Sequence, residues 1–219
     1  MMRSFIFDMD GTLFQTDKIL ERLLNDTFDW LKTLSLWNTD TPINKYREIM
    51  GVPLPKVWEE LLPNHSLEIR EDANAYFQKR LIHNIENGNG ALYPNVEKLF
   101  THLKREGNAI YIASNGLAAY LAAIVAFYRL DQWVTETFSI QQVPSLDKGE
   151  LVRTIIEKYE IESGTVVGDR LSDIYAAKTN NLTAIGCRFD FAQEEELAQA
   201  NFVIEDLADL INLLPLLPT

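Results

Sequence analysis

Phe5-Ile6-Phe7-Asp8-Met9-Asp10-Gly11-Thr12-Leu13-Phe14 is the stretch on which the fold turns. A short apolar run passes directly into two acids, and Gly11 lets the backbone turn sharply behind them. The next seventy or so residues follow a different period. Between about Thr16 and Glu86 the apolar positions Ile19, Leu20, Leu23, Leu24, Phe28, Leu31 and Leu34 recur at helical spacing. Val57-Trp58 with Leu61-Leu62, and Ile69, Ala73, Tyr76-Phe77, Leu81 and Ile85, continue it, punctuated by Pro53, Pro55 and Pro63. The spacing predicts one long helix and two further ones.

Asn87-Gly88-Asn89-Gly90 reads as a boundary. Beyond it, short apolar runs alternate with amphipathic segments: Ala109 to Ala113, Thr165 to Val167, Leu182 to Ile185 and Phe202 to Ile204. Helical patterns lie near Val96 to Arg105, Leu117 to Phe127, Gly149 to Lys158, Ile174 to Thr179 and Leu207 to Leu213. Alternation of this kind implies a parallel sheet covered on both faces, with Phe5-Ile6-Phe7 as one more strand stranded before the helical segment. The expected architecture is an α/β protein. Residues 1–15 and 88–219 form a three-layer α/β/α core, and residues 16–87 form an all-helical cap inserted after the first strand.

Composition narrows the function. The chain has 219 residues, 47% hydrophobic and 24% charged, which suits a globular protein with a sizeable core. Twenty Lys and Arg against 32 Asp and Glu leave a net charge of −12, which argues against coating nucleic acid or an anionic membrane. The tail after Arg188 holds seven of those acids and no base. The N-terminal residues lack the long apolar core of a signal peptide, and no window reaches the roughly 20 apolar residues of a membrane span. The longest apolar stretch, Gly116 to Phe127, reads as a buried helix. Cys187 is the only cysteine and has no internal partner, so the expected setting is reducing and cytoplasmic, with Cys187 a buried filler.

In open α/β sheets, ligands sit outside the carboxyl ends of the strands. Four polar segments fall at that edge: Asp8-Met9-Asp10-Gly11-Thr12, Ser114-Asn115-Gly116, Asp147-Lys148-Gly149 and Gly168-Asp169-Arg170-Leu171-Ser172-Asp173. A carboxylate can attack phosphorus, and a second acid beside it, its pKa raised by like charge, can protonate a leaving group. Strand alternation puts Asp8 and Asp10 on one side. Asp169 and Asp173 add hard oxygen donors of the kind that suit magnesium, although each is also a plausible helix-capping or first-turn acid. Ser114 and Asn115 precede a helix whose free N–H groups can hold a phosphate, or they simply cap it. Lys148 opposes the dipole of the helix it opens, a local misfit unless it serves the site or pairs with Asp147 or Glu150 in solvent.

In that order and spacing, Phe-Asp8-Met-Asp10-Gly11-Thr12-Leu-Phe, Ala-Ser114-Asn115-Gly, Lys148-Gly and Val-Val-Gly168-Asp169-Arg-Leu-Ser-Asp173 resemble the haloacid dehalogenase-like superfamily over essentially the whole chain. A helical segment between the first and second motifs is similar to the branch of phosphoglycolate phosphatases and β-phosphoglucomutases. The resemblance implies a Rossmann-like core and an aspartyl-phosphate mechanism. Asp8 would be the nucleophile, and Asp10 the acid that protonates the leaving oxygen and then activates water. Ser114, Asn115 and Lys148 would bind the phosphoryl group. Mg2+ would be held by Asp8, the Asp10 carbonyl, Asp169 and Asp173, the last directly, through water or by orienting Lys148. Asp10 argues against carbon–halogen chemistry, whose enzymes in this superfamily lack that acid. Gly116 stands where phosphoglycolate phosphatases often carry Lys.

The function expected is a magnesium-dependent phosphomonoesterase acting on a small phosphorylated metabolite. The alternatives are a sugar-phosphate mutase and a non-catalytic phosphoester-binding module. Oligomeric state, monomer or homodimer, stays open. Four acids against Lys148 leave the pocket negative, so a strict metal requirement is expected. Lys45 and Arg47, near Met50-Gly51-Val52-Pro53, are candidates to reach a substrate carboxylate or second phosphate. His65, His83 and His102 lack metal-ligand spacing, and Trp30, Trp37 and Trp58 read as packing residues of the helical segment.

Overall fold

The computed structural model describes residues 3–49, 52–190 and 192–218. Six strands, β1 (Ser4–Phe7), β2 (Ala109–Ser114), β3 (Glu136–Ser139), β4 (Gly164–Gly168), β5 (Thr183–Cys187) and β6 (Phe202–Ile204), form one sheet in the order β3-β2-β1-β4-β5-β6. Every pairing is parallel; Ile6 of β1 stands opposite Tyr111 of β2 and Val166 of β4. The first strand of the sequence is therefore central, and the chain switches direction of winding at it. That is where a doubly wound sheet opens a crevice.

Strand alternation divides the core into two layers. Phe5 and Phe7 face one side, among buried residues of α5 (Val96–Arg105), α6 (Ala118–Phe127) and α10 (Asp209–Leu213) such as Phe100, Leu121 and Leu210. Ile6 faces the other, among Leu151, Val152 and Ile155 of α7 (Lys148–Tyr159) and Ile174, Ala176 and Ala177 of α8 (Leu171–Thr179). The expected three-layer α/β/α arrangement is thus observed.

Between β1 and β2 the chain forms α1 (Asp17–Thr33), α2 (Ile43–Glu48), α3 (Leu54–Leu61) and α4 (Leu67–Glu86). The periodic residues of α1 are its buried stripe: Ile19, Leu20, Leu23, Leu24, Phe28 and Leu31. Ser66 starts α4 by accepting the Ile69 amide, and Pro53 and Pro55 bracket the first residue of α3. Leu34 is the exception to the periodic reading; it follows α1 and is exposed.

Three described strands or α-helices lie outside the sequence-based expectations, one of them the four-residue α9 (Glu194–Leu197). Helix α2 has only six residues and one buried side chain, Tyr46, too little for a periodic signal. Strand β3 is an edge strand whose Glu-Thr-Phe-Ser sequence has a single large apolar residue, Phe138. The next difference is one of length: α8 begins at Leu171 rather than near Ile174, so Asp173 belongs to its first turn. Met50 and Gly51 of the turn beside Val52 lie outside the described residues. Among the described residues no helix is long and apolar enough to cross a membrane.

Phe100 shows how tightly the first layer is filled. It is fully buried, with its ring centroid 5.1 Å from Phe7 and 6.3 Å from Trp133. Truncation leaves a cavity that neither strand nor helix can close. Phe100→Ala is expected to cost about 3–5 kcal/mol and to lower the thermal midpoint by about 10 °C, measured by circular dichroism.

Candidate active site

The carboxyl ends of β1, β2 and β4 meet at the switch point, and the candidate residues follow them directly. Asp8 continues β1, its amide donating to the Val167 carbonyl at 2.9 Å, so the nucleophile candidate is fixed by the sheet ladder itself. Asp169 follows β4, Asp173 sits one turn into α8, and Lys148 opens α7 beneath both. The Lys148 ammonium lies 2.5 Å from Asp8 Oδ1 and 2.5 Å from Asp173 Oδ1, with all three side chains less than a tenth exposed. Lys148 does not pair with its neighbours in solvent. Asp147 instead caps the helix by accepting the Glu150 amide, which leaves the lysine free to turn inward.

Two glycines make this close approach feasible. Gly11 has φ +77, and a Cβ there would lie 2.5 Å from Asp169 Oδ2. A Cβ on Gly168 would lie 2.1 Å from Asp173 Cγ. The turn after β1 is held by the Leu13 and Phe14 amides, which donate to the Met9 carbonyl at 2.9 and 2.8 Å. Thr12, buried in that turn, donates to Asp169 Oδ1 at 3.1 Å.

Asp8 and Asp10 both line one cavity of about 60 Å³, together with Ser114, Asn115, Lys148 and Asp173. Their carboxylates nevertheless have separate partners. Asp10 leaves the strand direction at a bridge with Phe14 and accepts bonds from the Thr16 hydroxyl at 2.6 Å and from the Tyr120 hydroxyl. Burial raises the Asp10 pKa, while the Thr16 and Tyr120 bonds pull against it by favouring the charged form. Ser114, at the end of β2, accepts the Gly116 amide at 2.9 Å, and Ser139 of β3 donates to the Gly116 carbonyl at 2.7 Å.

Other candidates lie elsewhere. Lys45 pairs with Glu60 at 3.0 Å and Arg47 with Glu21 at 2.7 Å, both exposed and neither lining the cavity. His65 packs near Trp37 and bonds the Leu36 carbonyl, whereas His83 and His102 contact Asn87 and Arg105 on the surface. Trp58 is buried in the helical insertion and donates to Asn74 Oδ1 at 2.9 Å, and Trp30 stacks on Tyr76. Cys187 is fully buried, which raises its thiol pKa well above the ordinary value.

Several residues of the site carry no role of their own in the sequence reading. Thr12, Thr16 and Tyr120 hold the acids, and Arg170 is anchored by Glu196 at 3.1 Å. Thr12 and Thr16 fall within a few residues of the acids they serve, so proximity is a usable signal for them. Tyr120 lies 110 positions from Asp10 in an apolar helix, where nothing marks its hydroxyl.

The sequence of a hydrolase family, haloacid dehalogenase-like hydrolase, matches residues 2–181. The chain belongs to that family. As a haloacid dehalogenase-like hydrolase it is similar to a phosphoglycolate phosphatase of Mannheimia succiniciproducens, 22% identical over 71% of this chain and 69% of that one. It is also 22% identical to a 5'-nucleotidase of Pseudomonas aeruginosa, covering 94% of this chain and 93% of the relative. The crystal structure of CbbY from Rhodobacter sphaeroides, in complex with phosphate, superimposes with a TM-score of 0.81 at 20% identity, covering 96% of each chain.

Haloacid dehalogenase-like hydrolases generally use a divalent metal, and this chain's residues fit one. Asp8, Asp169 and Asp173 are buried and offer oxygens within 4.8 Å of one another. Three carboxylates against the single Lys148 ammonium leave two negative charges to be matched. Hard oxygen donors with that charge suit a divalent cation. The Asp10 carboxylate is not part of the cluster. Burial pushes the Asp8 pKa up to about 7; the Lys148 charge opposes this, and the Asp173 and Asp10 charges add to it. Burial and then the charges of Asp8 and Asp173 raise Asp169 well above the carboxylate range. For Lys148, burial works downward but the two carboxylates outweigh it and the pKa rises.

Raised carboxyl pKa values favour the folded state only while the groups stay protonated. In EDTA the thermal midpoint is therefore expected to fall as pH rises from about 4 to about 7. A divalent cation at 100 times its dissociation constant should restore about 2.7 kcal/mol at pH 7, and much less at pH 5, where protons compete. Asp169→Asn should raise the metal-free midpoint at pH 7 and abolish the response to cation, both read by differential scanning fluorimetry.

Proposed function

We propose that this hydrolase is a magnesium-dependent phosphomonoesterase acting on a small phosphorylated metabolite through an aspartyl-phosphate. The observation that carries the reading is a pair of acids on one cavity, Asp8 buried and Asp10 half-buried, with separate partners: Asp8 on Lys148 and Asp10 on Thr16 and Tyr120. A cytoplasmic setting accords with the single buried thiol of Cys187. Residues 16–87 act as a cap over the core formed by residues 1–15 and 88–219, since the inserted helices supply one wall of the cavity.

The roles follow from charge and position. Asp8 is held by Lys148 with one oxygen engaged, and it attacks phosphorus while the bond to the leaving oxygen breaks. Asp10, whose raised pKa keeps it a competent proton donor, gives its proton to that oxygen as the alcohol departs. The same carboxylate then takes a proton from water, which attacks the phosphorus of the acyl phosphate and returns Asp8 as a free carboxylate. Lys148 and the Ser114 hydroxyl, with the Asn115 amide close by, bind the phosphoryl oxygens and offset the charge gathered in the transition state. Asp8, Asp169 and the Asp10 carbonyl, with Asp173 ligating through water or orienting Lys148, would hold magnesium, which would supply further charge neutralisation of the phosphoryl group.

The two acids separate experimentally. Asp8→Asn is expected to abolish phosphate release, by at least about a thousandfold, from every ester, with the fold retained by circular dichroism. Asp10→Asn is expected to cost about 10²–10⁴-fold in kcat on alkyl phosphates. The loss should be far smaller on acetyl phosphate, whose leaving group needs no proton. Full activity in Asp8→Asn, or equal losses on both substrate types in Asp10→Asn, removes the assigned role. Free inorganic phosphate as product, rather than an isomerised ester, separates hydrolysis from mutase chemistry.

A further inference from the structure

The wall of the cavity that faces the phosphoryl site comes from all four inserted helices. Leu20 of α1, Tyr46 of α2, Leu54 and Val57 of α3, and Phe77 and Leu81 of α4 line it. Apart from the Tyr46 hydroxyl, this wall presents carbon alone. Tyr46 is buried and lines the cavity with Asp10; burial, and then the Asp10 charge, raises its hydroxyl pKa.

No described basic side chain of the same helices lines the cavity. Lys45, Arg47 and Arg80 are each spent on a surface carboxylate, Glu60, Glu21 and Asp26 respectively. Among the described residues, the cations that line the cavity are Lys148 and Arg170, both from the core. Lys148 is shared between Asp8 and Asp173, and Arg170 is held by Glu196. A second anionic group on a substrate would therefore lose its hydration against an apolar wall without a free cation to meet it. Burying a charge in this way is strongly unfavourable, whereas an alkyl group gains from the same surface.

We propose that the leaving group of the substrate is an uncharged, largely apolar alcohol, so that the site selects monoesters whose phosphate is their single anionic group. Bisphosphates and phosphorylated carboxylic acids are rejected by the inserted helices. This inference rests on the phosphomonoesterase reading and adds the substrate class to it. Sites that must discriminate by one methylene achieve modest ratios, but a group left without its polar partner is penalised far more heavily.

The test uses the full chain with magnesium and compares kcat/KM for propyl phosphate, 2-phosphoglycolate and propane-1,3-diol bisphosphate, with acetyl phosphate as an activated reference. Propyl phosphate is expected to exceed both anionic substrates by at least tenfold. Val52 also lines the cavity and is 38% exposed, so Val52→Lys can place a cation at the wall with little risk to the fold. That variant is expected to raise the ratio of 2-phosphoglycolate to propyl phosphate at least fivefold, chiefly through KM. Turnover of acetyl phosphate combined with equal or better turnover of either anionic substrate overturns the specificity and leaves the phosphomonoesterase reading intact. A folded Val52→Lys protein whose ratio stays within twofold likewise overturns it. No turnover of any of the four compounds overturns both readings.

Discussion

The Lys148 ammonium, wedged between Asp8 and Asp173, is the interaction on which the rest of the site depends. A buried lysine is costly unless paired, and two buried carboxylates are costly beside each other. Together they satisfy one another in part, with one negative charge left over and Asp169 adding a second. The fold tolerates this because the groups sit on rigid supports: the end of a central strand, the first turn of a capped helix and the first turn of another. Removing either glycine at the approach, Gly11 or Gly168, would drive a Cβ into a carboxylate. The geometry is thus a backbone property before it is a side-chain one.

How much of this is legible in the sequence depends on whether a residue violates a local rule. Lys148 opposes the dipole of its own helix, and Asp8 and Asp10 interrupt an apolar run, so both stand out as misfits with a task. Strands β1, β2, β4, β5 and β6 and the helix carrying Ile19 to Leu31 are equally plain, because burial on one or both faces leaves a period or a solid apolar run. Strand β3 and helix α2 leave none: the one is a polar sheet edge, the other a six-residue helix with one buried side chain. Tyr120 violates nothing. A tyrosine in an apolar helix is ordinary packing until the fold brings its hydroxyl to Asp10.

Alternation along the strand places Asp8 and Asp10 on one side, and in the loose sense that both reach the cavity this holds. The strand, however, ends at Phe7, and the turn built on the Met9 carbonyl re-aims the second acid towards Thr16 and Tyr120. The consequence is chemical. Two carboxylates that faced the same cation would share one environment, whereas here the first is bound to an ammonium and the second to two neutral hydroxyls. Groups given different surroundings can hold different protonation states at one pH, which is what the proposed nucleophile and proton donor would require.

The net charge of −12 takes on a different meaning once it is divided in space. Much of it is solvated, including the seven acids of the tail after Arg188, and exposed charges of this kind are screened at physiological salt. Asp8, Asp169 and Asp173 are buried, so their field is not screened in that way, and a phosphate dianion entering the site would meet it directly. Under the proposed function, attraction of an anionic substrate would arise inside the crevice, from Lys148 and a cation held by the acids, and not from the protein as a whole. An apolar wall opposite that cation strengthens the same contrast. In the proposed reaction it would exclude water from the phosphoryl group, raise the effective strength of the Lys148 and metal contacts, and offer no compensation to a second charge. On the proposed function, affinity for the phosphoryl end and rejection of further anionic groups would be two results of one arrangement of charge and burial.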